Sequence, residues 1–221
     1  MDCKRVTVST VVAALASLTL GLASPIQAQT NKKATPAASS AGAAVVDYAG
    51  QYKTVCAACH GVNGRSDMAG VPVLAGNSSL YVITQLFLFR EGRRKNEVMV
   101  AMAKPMKDAD LKGFSDYIGT LPPVAPPPPA KPVDNAKMTQ ALAKAQEYKC
   151  VVCHGSDLSG SGPQGIPRIG GQKEEYLSAT LHEFKAGTRP GYTRAMTEAL
   201  SQVPVEDLDL LAYFAANINS K

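Results

Sequence analysis

The chain lacks tryptophan altogether, and its phenylalanine and tyrosine residues make up only 6% of 221 residues. A single large core would ordinarily draw much of its volume from such side chains. Proline and glycine are frequent instead, with 15 and 18 residues respectively. Small domains that are poor in large apolar side chains usually need a covalent link or a bound group for stability. The composition therefore favours small domains that are stabilised by a bound group.

A basic run with interleaved aromatic residues is also missing, although the formal net charge is +5. Because nucleic-acid binding depends on clustered basic residues, the sequence gives no support for a nucleic-acid partner. The densest basic stretch contains Arg90, Arg93, Arg94 and Lys95. It fits either a solvated helix end or a docking patch for an acidic protein.

The first 28 residues have the pattern of a cleavable signal peptide. Lys4 and Arg5 precede an apolar stretch at 6–23, and the small-residue site Ile26-Gln27-Ala28 follows a proline. A positive start, an apolar stretch and such a site are typical of export signals. We expect cleavage after residue 28 and a periplasmic location. No other segment approaches the length of a membrane span, so we expect no stable span after cleavage.

Two low-complexity stretches divide the rest of the chain. Residues 29–44 are rich in alanine, serine, threonine and lysine and predict a flexible leader. Residues 121–134 begin with a proline-rich run that favours an extended, semi-rigid linker. We therefore predict an N-terminal domain at 45–120 and a C-terminal domain at 135–221.

The two predicted domains repeat each other. Cys-Ala-Ala-Cys-His at 56–60 recurs as Cys-Val-Val-Cys-His at 150–154. Val-Pro-Val-Leu-Ala-Gly-Asn at 71–77 corresponds to Ile-Pro-Arg-Ile-Gly-Gly-Gln at 166–172, and Tyr81 corresponds to Tyr176. Further matches follow in the same order, which indicates a tandem duplication.

Both repeats predict helices and neither shows an alternating strand pattern, so the predicted fold class is all-α. Ser78 or Ser79 can cap a helix that Gly92 ends, and Asp108 can cap the helix that follows. The predicted helices lie at 48–58, 79–91, 108–118, 136–152, 173–186 and 205–218.

The Cys-x-x-Cys-His runs carry the chemistry. Cys56 and Cys59, like Cys150 and Cys153, lie three residues apart. Thiols at this spacing share one helix face, where they can add to the two vinyl groups of one porphyrin. The histidine that follows can then present its imidazole to the iron. This pattern is the signature of covalent c-type haem attachment, and it predicts two haem c groups with His60 and His154 as iron ligands.

Two other readings explain the motifs less well. Cysteine pairs that form a zinc site usually lie about 15–20 residues apart, whereas these pairs are separated by some 90 residues. Disulfides within each pair are chemically possible in an oxidising compartment, but they leave both histidines unexplained.

A sixth iron ligand is needed if the haems only transfer electrons. In the second repeat Met196 is the one methionine after the cysteines, and in the first Met68, Met99, Met102 and Met106 are candidates. The spacing from His154 to Met196, applied from His60, selects Met102. The spacing from Met196 to Tyr213 in the last helix, applied back from the equivalent Tyr117, is matched best by Met99. Because loops vary in length more easily than a short segment tied to a packed helix, we prefer Met99.

With these motifs, the chain resembles the dihaem class I cytochromes of the cytochrome c-four type over nearly all of residues 45–219. The resemblance implies two class I cytochrome c folds packed as a pair, here joined by a Pro-rich linker. It also implies Met99 and Met196 as distal ligands. It further implies that the carbonyl groups of Pro72 and Pro167 accept a hydrogen bond from each ligating histidine and so fix its orientation.

A haem with histidine and methionine ligands leaves no open iron position, so it moves electrons rather than atoms. The leading hypothesis is therefore a periplasmic one-electron carrier, not an enzyme. It would shuttle electrons between a quinol-oxidising complex and a terminal oxidase or reductase. The alternative is a dihaem cytochrome subunit of a periplasmic dehydrogenase, such as a flavocytochrome that oxidises sulfide. Both hypotheses imply redox proteins as partners.

Overall fold

The computed structural model describes residues 46–125, 132–190 and 194–218, all of which belong to the compact unit Val45–Lys221. The predicted signal peptide and leader lie outside the described residues. Within the described part the chain is helical, and its one β-type pairing is an isolated antiparallel bridge between Ser161 and Ile166. This confirms the predicted all-α class. None of the described helices is long and apolar enough to cross a membrane.

The N-terminal half begins with a continuous helical run. Helix α1 (Tyr48–Gln51) passes into a π-helical segment (Tyr52–Cys56) and then into α2 (Ala57–His60). Asp47 caps the run, because its carboxylate accepts a hydrogen bond of 2.8 Å from the Gly50 amide. The predicted helix at 48–58 is thus confirmed, and it extends two residues further, to the histidine of the motif.

Three more helices complete this half: α3 (Ser79–Arg90), α4 (Glu97–Ala103) and α5 (Asp108–Gly119). Ser78 caps α3 by accepting a hydrogen bond from the Tyr81 amide at 3.3 Å, as predicted. The prediction that Asp108 caps α5 is wrong, since Asp108 is already the first helical residue. The Asp110 carboxylate instead accepts a hydrogen bond from the Lys107 amide at 2.9 Å, which satisfies a free amide at the helix start.

The C-terminal half repeats this order with five helices: α6 (Asn135–Glu147), α7 (Cys150–His154), α8 (Glu174–Lys185), α9 (Ala195–Ser201) and α10 (Leu208–Asn217). The predicted single helix at 136–152 is wrong, because α6 ends before the motif and α7 restarts at Cys150. Lys149, between the two helices, has a φ of 57°, which a continuous right-handed helix does not allow. The helix at 173–186 is confirmed within one residue at each end. The predicted helix at 205–218 corresponds to a 3₁₀ turn at Val205–Asp207 followed directly by α10.

Each half has its own hydrophobic core. In the N-terminal half α3 packs against α5, with Tyr52 of the π-helical segment fully buried beside them. In the C-terminal half α10 packs against both α6 and α8. Helices α4 and α9, which the sequence did not predict, are seven residues long and lie between the longer helices in equivalent places. The duplication seen in the sequence is therefore a duplication of structure.

The two halves contact each other through repeat-related side chains. The Gln172 amide bonds to the Val73 backbone twice: the Val73 N–H donates to Oε1 at 2.9 Å, and Nε2 donates to the Val73 carbonyl at 2.8 Å. Reciprocally, the Arg168 N–H donates to Asn77 Oδ1 at 3.1 Å. Asn77 and Gln172 are 95 residues apart, as are Val73 and Arg168. The contact is therefore nearly symmetric, as expected for two copies of one fold packed face to face.

Candidate functional site

The cysteines of both motifs lie on helices at the edge of a core. Cys56 ends the π-helical segment and Cys59 lies in α2, and both are partly buried. In α7, Cys150 is partly buried and Cys153 is exposed. These four cysteines form no disulfide with one another. Burial raises the pKa of Cys56 and of Cys150, because a thiolate is poorly solvated there.

The histidines are buried and held by one backbone carbonyl each. His60 Nδ1 lies 3.1 Å from the Pro72 carbonyl oxygen, and His154 Nδ1 lies 3.1 Å from that of Pro167. Burial lowers the pKa of both imidazoles, although each carbonyl contact opposes this in part. A neutral imidazole that donates from Nδ1 keeps its lone pair on Nε2. Each histidine is therefore oriented to offer Nε2 to a metal.

The loops after the histidines place these proline carbonyls. In the N-terminal half the Gly64 carbonyl accepts hydrogen bonds from the Leu74 and Ala75 amides at 2.8 and 3.3 Å. In the C-terminal half Leu158, at the equivalent position, accepts from the Ile169 and Gly170 amides at 2.9 and 3.0 Å. Gly64 has a φ of 77° and Leu158 a φ of 57°. This left-handed turn, unusual for leucine, folds each loop back toward its histidine.

The methionines differ sharply in burial. Met99 packs against the N-terminal core together with Cys56, and Met196 packs against the C-terminal core together with Cys150. By contrast, Met102 is 38% exposed and Met68 is 50% exposed. Met106 is partly buried, but it lies beyond the end of α4, the helix that contains Met99.

Met99 and Met196 also occupy matching helical positions. Met99 precedes Ala103, the buried residue of α4, by four positions, and Met196 precedes Leu200, the buried residue of α9, by four. Residues four apart share one helix face, so both methionines lie on the inward face. The Asn96 side chain caps α4 and accepts a hydrogen bond from the Met99 amide at 2.9 Å, which fixes the start of this helix.

The donors in each half suit covalent haem c: a pair of thiols on one helix, a neutral imidazole with a free Nε2, and a thioether in the same core. A metal ion held by protein alone would need a closer set of ligands. Among the described residues no group of three or more histidine, cysteine, aspartate or glutamate side chains could hold one.

The basic stretch at 90–95 does not form one surface patch. Arg90 pairs with Glu91 at 2.8 Å and with Asp108 at 2.6 Å. Arg94 is buried between the two halves and donates to the Tyr176 hydroxyl at 2.9 Å. This interface role was not predicted from the sequence, although Arg94 and Arg189 show the same 95-residue offset as the residues that revealed the repeat.

Comparisons with known proteins agree with this geometry. The cytochrome c family profile matches residues 47–122. The thiosulfate dehydrogenase electron acceptor of Thiomonas intermedia is 33% identical over 165 residues, which cover 66% of this chain and 76% of that protein. Cytochrome c4 of Stutzerimonas stutzeri is 29% identical over 190 residues, covering 77% of this chain and 88% of the other.

Among solved structures, that of reduced recombinant cytochrome c4 from Pseudomonas stutzeri superposes with a TM-score of 0.67 at 27% identity. The match covers 76% of this chain and 95% of that one. Similarity over both halves extends the assignment beyond the N-terminal half that the family profile matches. The chain therefore belongs to the dihaem c-type cytochromes of the cytochrome c4 type: it carries two covalently bound haem c groups and functions in electron transfer.

Proposed function

We propose that the chain is an exported one-electron shuttle in which each half holds one haem with histidine and methionine as axial ligands. The proposed attachment residues are Cys56 and Cys59 in the N-terminal half, with Cys150 and Cys153 in the C-terminal half. The proposed iron ligands are His60 with Met99 and His154 with Met196, and Pro72 and Pro167 orient the two histidines.

The observation that carries this proposal is that both halves repeat one arrangement of buried ligands. In each half a proline carbonyl lies 3.1 Å from the histidine Nδ1, and the methionine of the short seven-residue helix packs against the core that also contains a motif cysteine. When bound, each haem supplies an iron that gains and loses one electron. A histidine and a methionine that both bind the iron would exclude substrates from it, and a thioether ligand would favour the reduced state.

The burial of the methionines supports Met99 over the other candidates. Met102 points away from the core and is 38% exposed, so reaching an iron held by His60 would require α4 to turn. Met106 is partly buried in the same core as Met99, but it has no counterpart in α9. The match between Met99 and Met196 relative to Ala103 and Leu200 therefore supports Met99.

Single alanine variants of the haem-loaded protein test this assignment. Met99→Ala should remove about half of the methionine-to-iron charge-transfer absorption, since one of two haems loses its thioether. Met102→Ala and Met106→Ala are the matched controls in the same segment and should keep the full band. A half-intensity band in either control, together with a full band in Met99→Ala, would refute the choice of Met99.

Export is tested separately. If residues 1–28 are a signal peptide, the haem-loaded protein should be found in the periplasmic fraction, and its mass should correspond to a chain that begins at Gln29. A protein that retains its first 28 residues would contradict the proposed processing.

A second candidate function is that of a dedicated electron acceptor for a periplasmic dehydrogenase. The observation that favours it is the 33% identity to a protein named thiosulfate dehydrogenase electron acceptor. Rapid mixing of the oxidised protein with such a dehydrogenase and its substrate would distinguish the two roles. If the oxidised protein is reduced within one turnover of the dehydrogenase, and if the two proteins co-elute, the result supports the dedicated acceptor. Reduction by a quinol-oxidising complex, without a stable dehydrogenase complex, supports the general shuttle.

A further inference from the structure

Two buried hydroxyl groups hold the backbone on either side of His60. The Ser66 hydroxyl donates to the Cys59 carbonyl at 2.6 Å, and the Tyr52 hydroxyl donates to the Gly61 carbonyl at 3.0 Å. Cys59 and Gly61 are the residues immediately before and after the histidine. Tyr52 and Ser66 are both fully buried. We call these two side chains the hydroxyl clamp.

Further contacts fix the direction of each hydroxyl. Ser66 Oγ also accepts a hydrogen bond from the Met68 amide at 3.2 Å, so its donor and its acceptor are both engaged. The Tyr52 ring packs against the Tyr117 ring, with 5.1 Å between the centroids. Burial raises the pKa of Tyr52, so its hydroxyl keeps the proton that it donates. Each hydroxyl is therefore held toward its carbonyl.

The C-terminal half holds its histidine in a different way. When the two motifs are aligned, Gln146 and Gly160 take the places of Tyr52 and Ser66. The Gly160 N–H donates directly to the His154 carbonyl at 2.8 Å. Among the described residues, no side-chain hydroxyl donates to a carbonyl next to His154. A backbone amide thus does in this half what two buried side chains do in the other.

Other hydroxyl groups of the N-terminal half bond to carbonyls far from the histidine. The buried Ser115 hydroxyl donates to the Leu111 carbonyl at 2.6 Å, within its own helix α5. The Tyr48 hydroxyl donates to the Ala109 carbonyl at 3.1 Å. These bonds satisfy a hydroxyl or join two helices. The clamp differs from them because both of its bonds end on the peptide groups that flank one proposed iron ligand.

We propose that Tyr52 and Ser66 are positioning residues for His60. They fix the backbone from which the imidazole projects, while the Pro72 carbonyl, 3.1 Å from Nδ1, fixes the ring itself. Groups that hold a metal ligand from behind in this way determine the orientation in which it meets the metal. The inference rests on the proposed function, because it takes His60 as an iron ligand. Both side chains act through the backbone of the ligand.

The test is electron paramagnetic resonance of the oxidised, haem-loaded protein with Tyr52→Phe or Ser66→Ala. Each change removes one hydroxyl and keeps the rest of the side chain. The g values of a low-spin ferric haem depend on the orientation of its axial imidazole, so a less constrained His60 should shift or broaden the signal of the N-terminal haem. The signal of the C-terminal haem should stay unchanged. Met196→Ala alters that second signal and so assigns the two.

Two matched controls separate positioning from stability. Tyr48→Phe and Ser115→Ala remove hydroxyls of the same kinds from the same half, and both of these hydroxyls donate to backbone carbonyls that do not adjoin His60. Ser115→Ala should lower the urea midpoint about as much as Ser66→Ala, because each change removes a buried hydrogen bond. Both controls should nevertheless keep the two wild-type signals.

Haem content is measured for every variant. If a clamp variant binds one haem per chain while both controls bind two, the result also supports the inference. The inference is overturned if both clamp variants keep the wild-type signals, if the controls cause the same shift, or if both signals change equally. Loss of both haems from both clamp variants overturns it too, because the role is then structural. A wild-type protein without two low-spin ferric signals would instead refute the proposed function.

Discussion

Replacing Gln172 with alanine should weaken the contact between the two halves strongly. The Gln172 amide is buried and forms two hydrogen bonds with the Val73 backbone, at 2.9 and 2.8 Å. Val73 is itself buried. Alanine therefore leaves one N–H and one carbonyl of the N-terminal half without a protein partner, in a place where water reaches them poorly.

The expected loss in the free energy of unfolding follows from these two unsatisfied groups. An unsatisfied buried polar group costs about 1–3 kcal/mol, so two of them cost about 2–6 kcal/mol. Because a side chain shortened by four heavy atoms leaves room for a water molecule to bond to one of the two groups, we expect a loss of about 2–4 kcal/mol in the free energy of unfolding.

Urea unfolding of the haem-loaded protein, followed by circular dichroism, measures this loss. The matched control is Gln140→Ala on the exposed face of α6, which should change the free energy of unfolding by less than about 0.5 kcal/mol. If Gln172→Ala were as stable as this control, the paired hydrogen bonds would not hold the halves together. The interface would then depend on its other contacts.

Two further substitutions test other parts of the fold. Gly113→Ala in α5 should destabilise the protein by about 1–3 kcal/mol in urea unfolding, because a Cβ there would overlap the Tyr48 ring; a gain of about 1 kcal/mol, as helix propensity alone predicts, would contradict the packing. Asp207→Asn should lower the urea midpoint at neutral pH. The hydrogen bond from Tyr148, and then the ion pair with Lys144, lower the pKa of Asp207 in the folded protein. Its stabilisation is therefore present above the ordinary pKa of 3.8 and is lost as the pH falls below it. The difference from the wild type should shrink over the same pH range, and a difference that persists in acid would contradict this linkage.

The long helices could be predicted because apolar spacing and local caps determine them. Ser78 and Gly92 bound α3 in the structure as they do in the sequence. The short helices α4 and α9 could not be found in this way, since seven residues give less than two full turns of periodicity. Asn96, which caps α4 through the Met99 amide, was the one local signal that could have revealed the first of them.

The break before Cys150 shows where local reasoning fails. The sequence from 136 to 152 has no proline and no glycine, so helix propensity predicts that it continues. Tertiary contact decides otherwise: the Tyr148 hydroxyl donates to Asp207 at the start of the last helices, at 2.5 Å. Lys149 then takes the left-handed conformation that separates α6 from α7. A side chain 59 positions away therefore helps to end this helix, which is information that no local window contains.

The candidate site was more predictable than the surface between the halves, for a physical reason. Haem attachment needs fixed residue types at fixed spacing, so the motif is visible in one stretch of chain. An interface needs only that polar groups find partners once two surfaces meet. In the sequence the interface residues look like ordinary polar residues, whereas the structure shows that they are buried: Asn77, Gln172, Arg94 and Arg189.

Duplication supplies the missing signal for such an interface. When two copies of a fold pack face to face, each contact between them occurs twice. If one position of the first copy contacts a second position of the other copy, the same two positions also meet with the copies exchanged. The Val73–Gln172 and Arg168–Asn77 contacts obey this rule. Positions that match in the repeat point to contacts that both halves need.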